Sequence, residues 1–140
     1  MPDFPADETE KIIMKLVMAF GTFDLLHPGH INFLRQAKKY GGLIVVIARD
    51  KTVRQVKGKL PRHTEKQRLT AVLGLNLADR AVLGSLKDKY AAIRKYRPGI
   101  IVLGYDQKYF TDQLKNFNLK IIRLKAYKPN KYKTSILKLK

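Results

Sequence analysis

Apolar runs of strand length alternate with amphipathic stretches of helix length almost from end to end of this chain. The runs are Ile12 to Ala19, Leu43 to Ala48, Arg80 to Leu83, Ile100 to Leu103 and Leu119 to Leu124. Between the first two, Ile31, Leu34, Ala37 and Tyr40 recur at helical spacing over Gly29 to Tyr40, and Gly41-Gly42 stops the helix. Lys51 to Lys57 reads as a short helical or loop segment ending at Gly58 and Pro61. Thr64 with Gln67 matches a capping box ahead of a helix carrying Leu69, Val72, Leu73 and Leu77. Ser85 with Asp88 caps a further helix through Tyr96, another is expected from about Thr111 to Phe117, and a short helix ends the chain after a basic loop, Lys125 to Lys133.

Strands that are apolar throughout, rather than alternately polar, belong to a sheet covered on both faces. Alternation with helices makes that sheet parallel, so the expected architecture is a single-domain α/β fold with a doubly wound parallel sheet. With 140 residues, 45% of them hydrophobic, the chain supports one core. Residues 1–10 are expected to form a flexible segment ahead of a domain spanning residues 11–140. In such sheets ligands bind beyond the carboxyl ends of the strands, where the strand order reverses. The candidate loops are therefore Gly21 to His30, Arg49 to Lys59 and Gly104 to Lys108, with Lys125 to Thr134 nearby.

Lys and Arg number 29 against 11 Asp and Glu, a formal charge of +18, which favours polyanionic partners without naming a reaction. No apolar run approaches the length of about 20 residues that spans a bilayer, and the first ten residues are acidic, unlike a signal peptide. A cytoplasmic protein without membrane partners is expected. With no cysteine, disulfides and thiolate metal sites are excluded.

The sharpest local signal is Gly21-Thr22-Phe23-Asp24-Leu25-Leu26-His27-Pro28-Gly29-His30. It places two of the chain's three histidines where a loop after a strand enters a helix. Helix N–H groups favour an anion there, Gly29 admits a phosphate closely, and imidazoles donate hydrogen bonds to phosphate oxygens. Gly21 is expected to permit the turn off the strand. An isolated histidine in such a place more often caps a helix or is half-buried; two in the ligand-bearing loop favour a phosphate site. A metal pair is the weaker alternative, since only Asp24 offers a neighbouring third ligand, and no metal-ligating residue is assigned.

The stretch from Gly21 to Leu34 resembles the signature of the cytidylyltransferase-like nucleotidylyltransferase superfamily. The phrases Ile47-Ala48-Arg49-Asp50-Lys51-Thr52-Val53, Val82-Leu83-Gly84-Ser85-Leu86-Lys87, Ile101-Val102-Leu103-Gly104-Tyr105-Asp106-Gln107 and Leu124-Lys125-Ala126-Tyr127-Lys128 are similar to one branch, the archaeal FAD synthases. The resemblance covers residues 12 to 137. It implies a Rossmann-like fold, transfer of AMP from ATP to FMN with release of pyrophosphate, a divalent cation such as Mg²⁺, and the dimeric state common in related enzymes.

Carried over by residue, the resemblance makes His27 and His30 the catalytic pair and puts the nucleotide against Gly21, Thr22, Phe23, the segment His27-Pro28-Gly29-His30, Gly104 and Asp106. Tyr127 would stack on a ring, and Thr134 would offer a hydroxyl to phosphate. Lys57, Lys59 and Arg68 are candidates to neutralise pyrophosphate. The late segment Tyr132-Lys133-Thr134-Ser135 departs from the family's Ser-Ser-Thr run, with Lys133 in place of the first serine. The alternatives are a cytidylyltransferase acting on glycerol 3-phosphate or another phospho-alcohol, transfer of AMP to a pantetheine phosphate, and, from a different class, a basic nucleic-acid-binding module. The last lacks an RNP-like aromatic pair, a GXXG clamp or a helix-turn-helix pattern.

Overall fold

The computed structural model describes residues 16–104, 107, 114 and 117–125. Five strands, β1 (Leu16–Gly21), β2 (Gly42–Ile47), β3 (Arg80–Leu83), β4 (Ile100–Leu103) and β5 (Lys120–Arg123), form one sheet in the order β3-β2-β1-β4-β5. Every pairing is parallel. Four helices connect them: α1 (Pro28–Lys38), α2 (Asp50–Lys57), α3 (Glu65–Gly74) and α4 (Ala91–Tyr96). The chain builds outward from β1 to β3, then returns to the far side of β1 for β4 and β5. The strand order therefore reverses between β1 and β4.

Strand periodicity sends successive side chains to opposite faces, and both faces are filled. Val17 and Ala19 of β1 join Leu43, Val45, Ile47 and Val102 against Leu34 and Ala37 of α1 and Val72 of α3. Met18 and Phe20 point the other way, with Ile44, Val46, Ile101 and Leu103, against Tyr90, Ile93 of α4 and Leu114. This two-sided burial is why β1, β2 and β4 read as unbroken apolar runs.

Local sequence sets several of the boundaries. Pro28 at the first helical position starts α1. The capping box is complete: the Gln67 N–H donates to Thr64 Oγ1 at 3.2 Å and the Thr64 N–H donates to Gln67 Oε1 at 2.9 Å. Gly58, at φ 83°, ends α2 in the left-handed conformation that glycine adopts without steric penalty.

Two expectations need correction. The helix expected from Ser85 begins only at Ala91, because Ser85 Oγ accepts from the N–H groups of Lys87 and Asp88, and Asp88 Oδ1 accepts from that of Tyr90. These side chains hold successive turns instead of a helix start. The apolar stripe of α3 also sits differently: Arg68 and Val72 are its buried residues, while Leu73 is exposed. The first ten residues, the basic loop beyond Lys125 and the last helix lie outside the described residues, as does the helix expected from Thr111 apart from Leu114 and Phe117.

Candidate active site

The loop from Thr22 to His27 leaves β1 at its carboxyl end and enters α1. Gly21 is not in a left-handed conformation; Phe23 is, at φ 52°. The turn thus falls on Phe23, and Gly21 is needed for another reason. A Cβ on Gly21 would lie 2.5 and 2.7 Å from the far ring carbons of Phe23, so that ring rests directly on the Gly21 backbone. Phe23 is 4% exposed and also meets the His30 ring edge-on, with centroids 5.4 Å apart.

His27 caps α1. Its Nδ1 accepts the Gly29 N–H at 3.0 Å, which leaves Nε2 as the ring's donor. Since Pro28 has no N–H and that of Gly29 is engaged, the first turn of α1 holds less of the backbone anion capacity expected of a helix start. The two rings stack at 3.8 Å between centroids with 25° between their planes. Nδ1 of His30 is enclosed, so any bond His30 donates outward comes from Nε2.

Burial pushes the His30 pKa down, the neighbouring His27 adds to that, the Leu25 backbone opposes it, and Lys57 lowers it further. His30 is therefore neutral near pH 7 in the free protein. The effect of Lys57 also places its charge within reach of the histidine loop. Both Lys57 and Lys59 are exposed.

A set of polar contacts braces this loop. Asp24 accepts the N–H groups of Arg62 and His63 at 2.7 and 2.8 Å, while His63 Nδ1 lies 2.9 Å from the Asp24 carbonyl. Burial alone would raise the Asp24 pKa, but the bonds from Arg62 and His63 outweigh it and hold the carboxylate below its ordinary value. Arg68, expected to face pyrophosphate, is 0% exposed and donates to the carbonyls of Thr22 and His63 and to Asp50. Its guanidinium ties the Thr22 and His63 backbones to Asp50 from inside the core.

Across the point where strand order reverses, Gln107 Oε1 accepts the Gly104 N–H at 2.8 Å and its Nε2 donates to the Phe20 carbonyl at 2.9 Å. Arg123 Nη1 donates to the carbonyls of Gly104 and Gln107. The β4 loop is thereby fastened to β1, opposite the histidines. Asp106, Tyr127 and Thr134 lie outside the described residues.

A cavity of about 460 Å³ opens on the β2 and β3 side, within the range of small-molecule sites. Its walls include Phe20, Val46, Arg49, Val56 and Leu86. It meets the histidine loop only at Gly21 and does not extend under the two rings. The part-apolar cavity therefore adjoins the histidine loop at Gly21, while His27 itself is exposed on the surface beside it. Reasoning from sequence passed over Gln107, Glu65 and Arg123. A glutamine after a strand and a glutamate in the first turn of a helix carry no local signal of partners 87 and 15 residues away in sequence.

Among the described residues no three or more His, Asp or Glu side chains cluster to hold a metal ion, and no helix is long and apolar enough to cross a membrane. Both carboxylate oxygens of Asp24 already serve backbone N–H groups.

Known proteins resemble this chain in sequence and in fold. The family model described as Cytidylyltransferase-like matches residues 18–140. A FAD synthase of Aciduliprofundum boonei is 47% identical over 121 residues, covering 81% of this chain and 80% of that protein. A FAD synthase of Methanohalophilus mahii is 45% identical over 118 residues, covering 79% and 82%. A solved structure named as the lipopolysaccharide core biosynthesis protein of Thermoplasma volcanium GSS1 superposes with a TM-score of 0.74 at 42% identity, covering 80% of this chain and 97% of its own. The pantoate-beta-alanine ligase of Francisella tularensis shares the fold alone, with a TM-score of 0.57 at 18% identity, covering 79% and 58%. A parallel sheet that reverses order at β1, a histidine pair at the head of α1 and a family match over residues 18–140 lead to one conclusion: the chain belongs to the cytidylyltransferase-like family.

Proposed function

We propose that this protein is a FAD synthase, a nucleotidyltransferase that transfers AMP from ATP to FMN and releases pyrophosphate. The observation that carries the reading is the stacked imidazole pair at the head of α1, with His27 locked as an Nε2–H donor, beside a cavity that opens at Gly21. Relatives named FAD synthase, at 47% and 45% identity over most of the chain, support the choice of substrates.

In this reading a phosphate oxygen of FMN forms the new bond to the α-phosphorus of ATP while the bond from that phosphorus to the bridging oxygen of pyrophosphate breaks. The attacking phosphate is already ionised, so no general base is needed; the protein aligns the two phosphates and stabilises charge. His27 and His30 donate from Nε2 to the triphosphate oxygens where charge develops, and Lys57 with Lys59 offsets the charge of the leaving pyrophosphate. The nucleotide lies over the reversal point, between the Gly21 and Gly104 loops. FMN occupies the adjoining cavity, whose apolar walls suit a flat ring and whose Arg49 suits an anion.

The described residues form no cage for Mg²⁺. A divalent cation would come in with the triphosphate, as this ion commonly does, held mainly by phosphate oxygens and water and supplying charge neutralisation there.

The test is incubation with ATP or CTP, Mg²⁺ and a panel of phosphorylated acceptors including FMN, with products identified by mass. FAD formed from ATP and FMN alone is the expected result. A CDP-alcohol, or an adenylylated pantetheine phosphate in place of FAD, would overturn the assignment.

A further inference from the structure

Arg68 is the one charged side chain fully enclosed among the described residues. It occupies the core-facing stripe of α3, one turn before Val72, where an apolar residue would pack at no electrostatic cost. A buried guanidinium is costly to desolvate and is weak grounds for stability, so its contacts need another explanation. Nη1 donates to the Thr22 carbonyl at 2.8 Å, Nε to the His63 carbonyl at 3.1 Å, and Nη2 to Asp50 Oδ1 at 2.6 Å.

The contacts continue beyond Asp50. Its backbone N–H donates to Glu65 Oε1 at 2.8 Å, and Glu65 Oε2 accepts from Arg49 Nη1 at 3.0 Å. Arg49 Nε in turn donates to the Gly84 carbonyl at 2.7 Å, and Arg49 forms part of the cavity wall. One unbroken polar path therefore joins the first residue of the histidine loop to the cavity. It fastens together the loops after β1, β2 and β3, which carry the two halves of the site.

We infer that Arg68 is a positioning residue that holds the histidine loop in register with the cavity wall through Asp50, Glu65 and Arg49; this rests on the reaction proposed above. A planar guanidinium presents donors in three fixed directions, and a lysine ammonium cannot span the same three acceptors. Misplacement of the reacting groups by about 1 Å is enough to cost about a hundredfold in rate. The loop needs such bracing because its turn is carried by Phe23 at positive φ and not by a glycine.

Two variants test the inference, Arg68→Lys and Glu65→Gln, each followed by thermal melting, affinity for a non-hydrolysable ATP analogue, kcat, and KM for FMN. Arg68→Lys is expected to lower kcat at least tenfold and to weaken analogue binding by about as much. Glu65→Gln has one carbonyl oxygen for two donors, so it is expected to raise KM for FMN and lower kcat at least fivefold while analogue affinity stays within twofold. Kinetic constants within twofold of wild type in a folded Arg68→Lys protein, or a Glu65→Gln protein that differs only in its melting temperature, would overturn the inference. If Arg68→Lys does not fold, Glu65→Gln decides, since its side chain is 23% exposed and its replacement is nearly isosteric. If the wild type makes no FAD, the substrate assignment fails separately, and analogue affinity in Arg68→Lys still decides whether Arg68 sets the loop.

Discussion

Replacing Gly21 with alanine adds one methyl group at the point where the histidine loop leaves the sheet. That carbon would sit 2.5 Å from one ring carbon of Phe23 and 2.7 Å from another, while ordinary carbon contacts fall at about 3.5–4.0 Å. The ring must therefore retreat by about 1 Å. It is 4% exposed and backed by His30 on one side, with Phe33 at 6.5 Å between centroids, so it cannot retreat without moving its neighbours. Overpacking of this kind costs about 1–3 kcal/mol. For a domain of this size that corresponds to a fall in melting temperature of about 3–12 °C.

The functional cost should be larger than the stability cost, because the displaced ring is the one against which His30 rests. A shift of about 1 Å in a group that aligns phosphates is worth about a hundredfold in rate. The assay is thermal melting paired with steady-state turnover of ATP and FMN. A Gly21→Ala protein that melts within a degree of wild type and keeps kcat within twofold would refute the reasoning, for then the Phe23 ring does not transmit the clash to His30.

Four further outcomes are expected. His30→Ala should fold normally by circular dichroism yet lose about a hundred- to a thousandfold in kcat, the usual cost of deleting a donor to developing phosphate charge; a loss below tenfold would remove His30 from the mechanism. The His30 pKa is lowered in the free protein and a bound triphosphate should raise it, so nucleotide binding at pH 7 should take up protons, detected by calorimetry in buffers of differing ionisation enthalpy. By the same linkage, the lowered pKa contributes stability that is complete above about pH 6.5 and is lost as pH falls through the folded value, while Asp24 acts in the same sense below about pH 3.9; melting curves across that range check both. Thr64→Ala removes half of the capping box on α3 and should cost about 1 kcal/mol in chemical denaturation.

The parts of this fold legible in the sequence are those governed by short-range repetition. β2, β3 and β4 fall within a residue or two of their apolar runs, and the Thr64 and Gln67 box is made as written. The histidine pair stood out because a rare residue type recurred at the carboxyl end of the first strand, where this architecture puts ligands. What was not legible depends on partners distant in sequence. Arg68 reads as a solvated or phosphate-facing charge until its three acceptors, 5, 18 and 46 residues away, are brought around it. The available hint was its place one turn from Val72, on a stripe that should be apolar. Gly21 likewise reads as a turn residue, since no local pattern says that a ring two residues on folds back over it. Ser85 and Asp88 have the chemistry of caps, and that chemistry serves a turn as readily as a helix.

In the proposed reaction the histidine loop separates two tasks that charge alone would merge. A net charge of +18 draws in any polyanion over distances of about a Debye length, without regard to its shape. His30 in the free protein adds little to that field, because burial lowers its pKa, and the Nδ1 of His27 is taken up by the Gly29 N–H. The rings' contribution is directional, two Nε2 donors set by a stacked geometry that Gly21, Phe23 and Asp24 hold in place. His30, whose pKa burial lowers in the free protein, gains charge when a triphosphate binds beside it, so attraction strengthens where phosphate is bound and not elsewhere on the surface. Capture by lysines and alignment by histidines are then distinct physical steps, and only the second requires the braced loop.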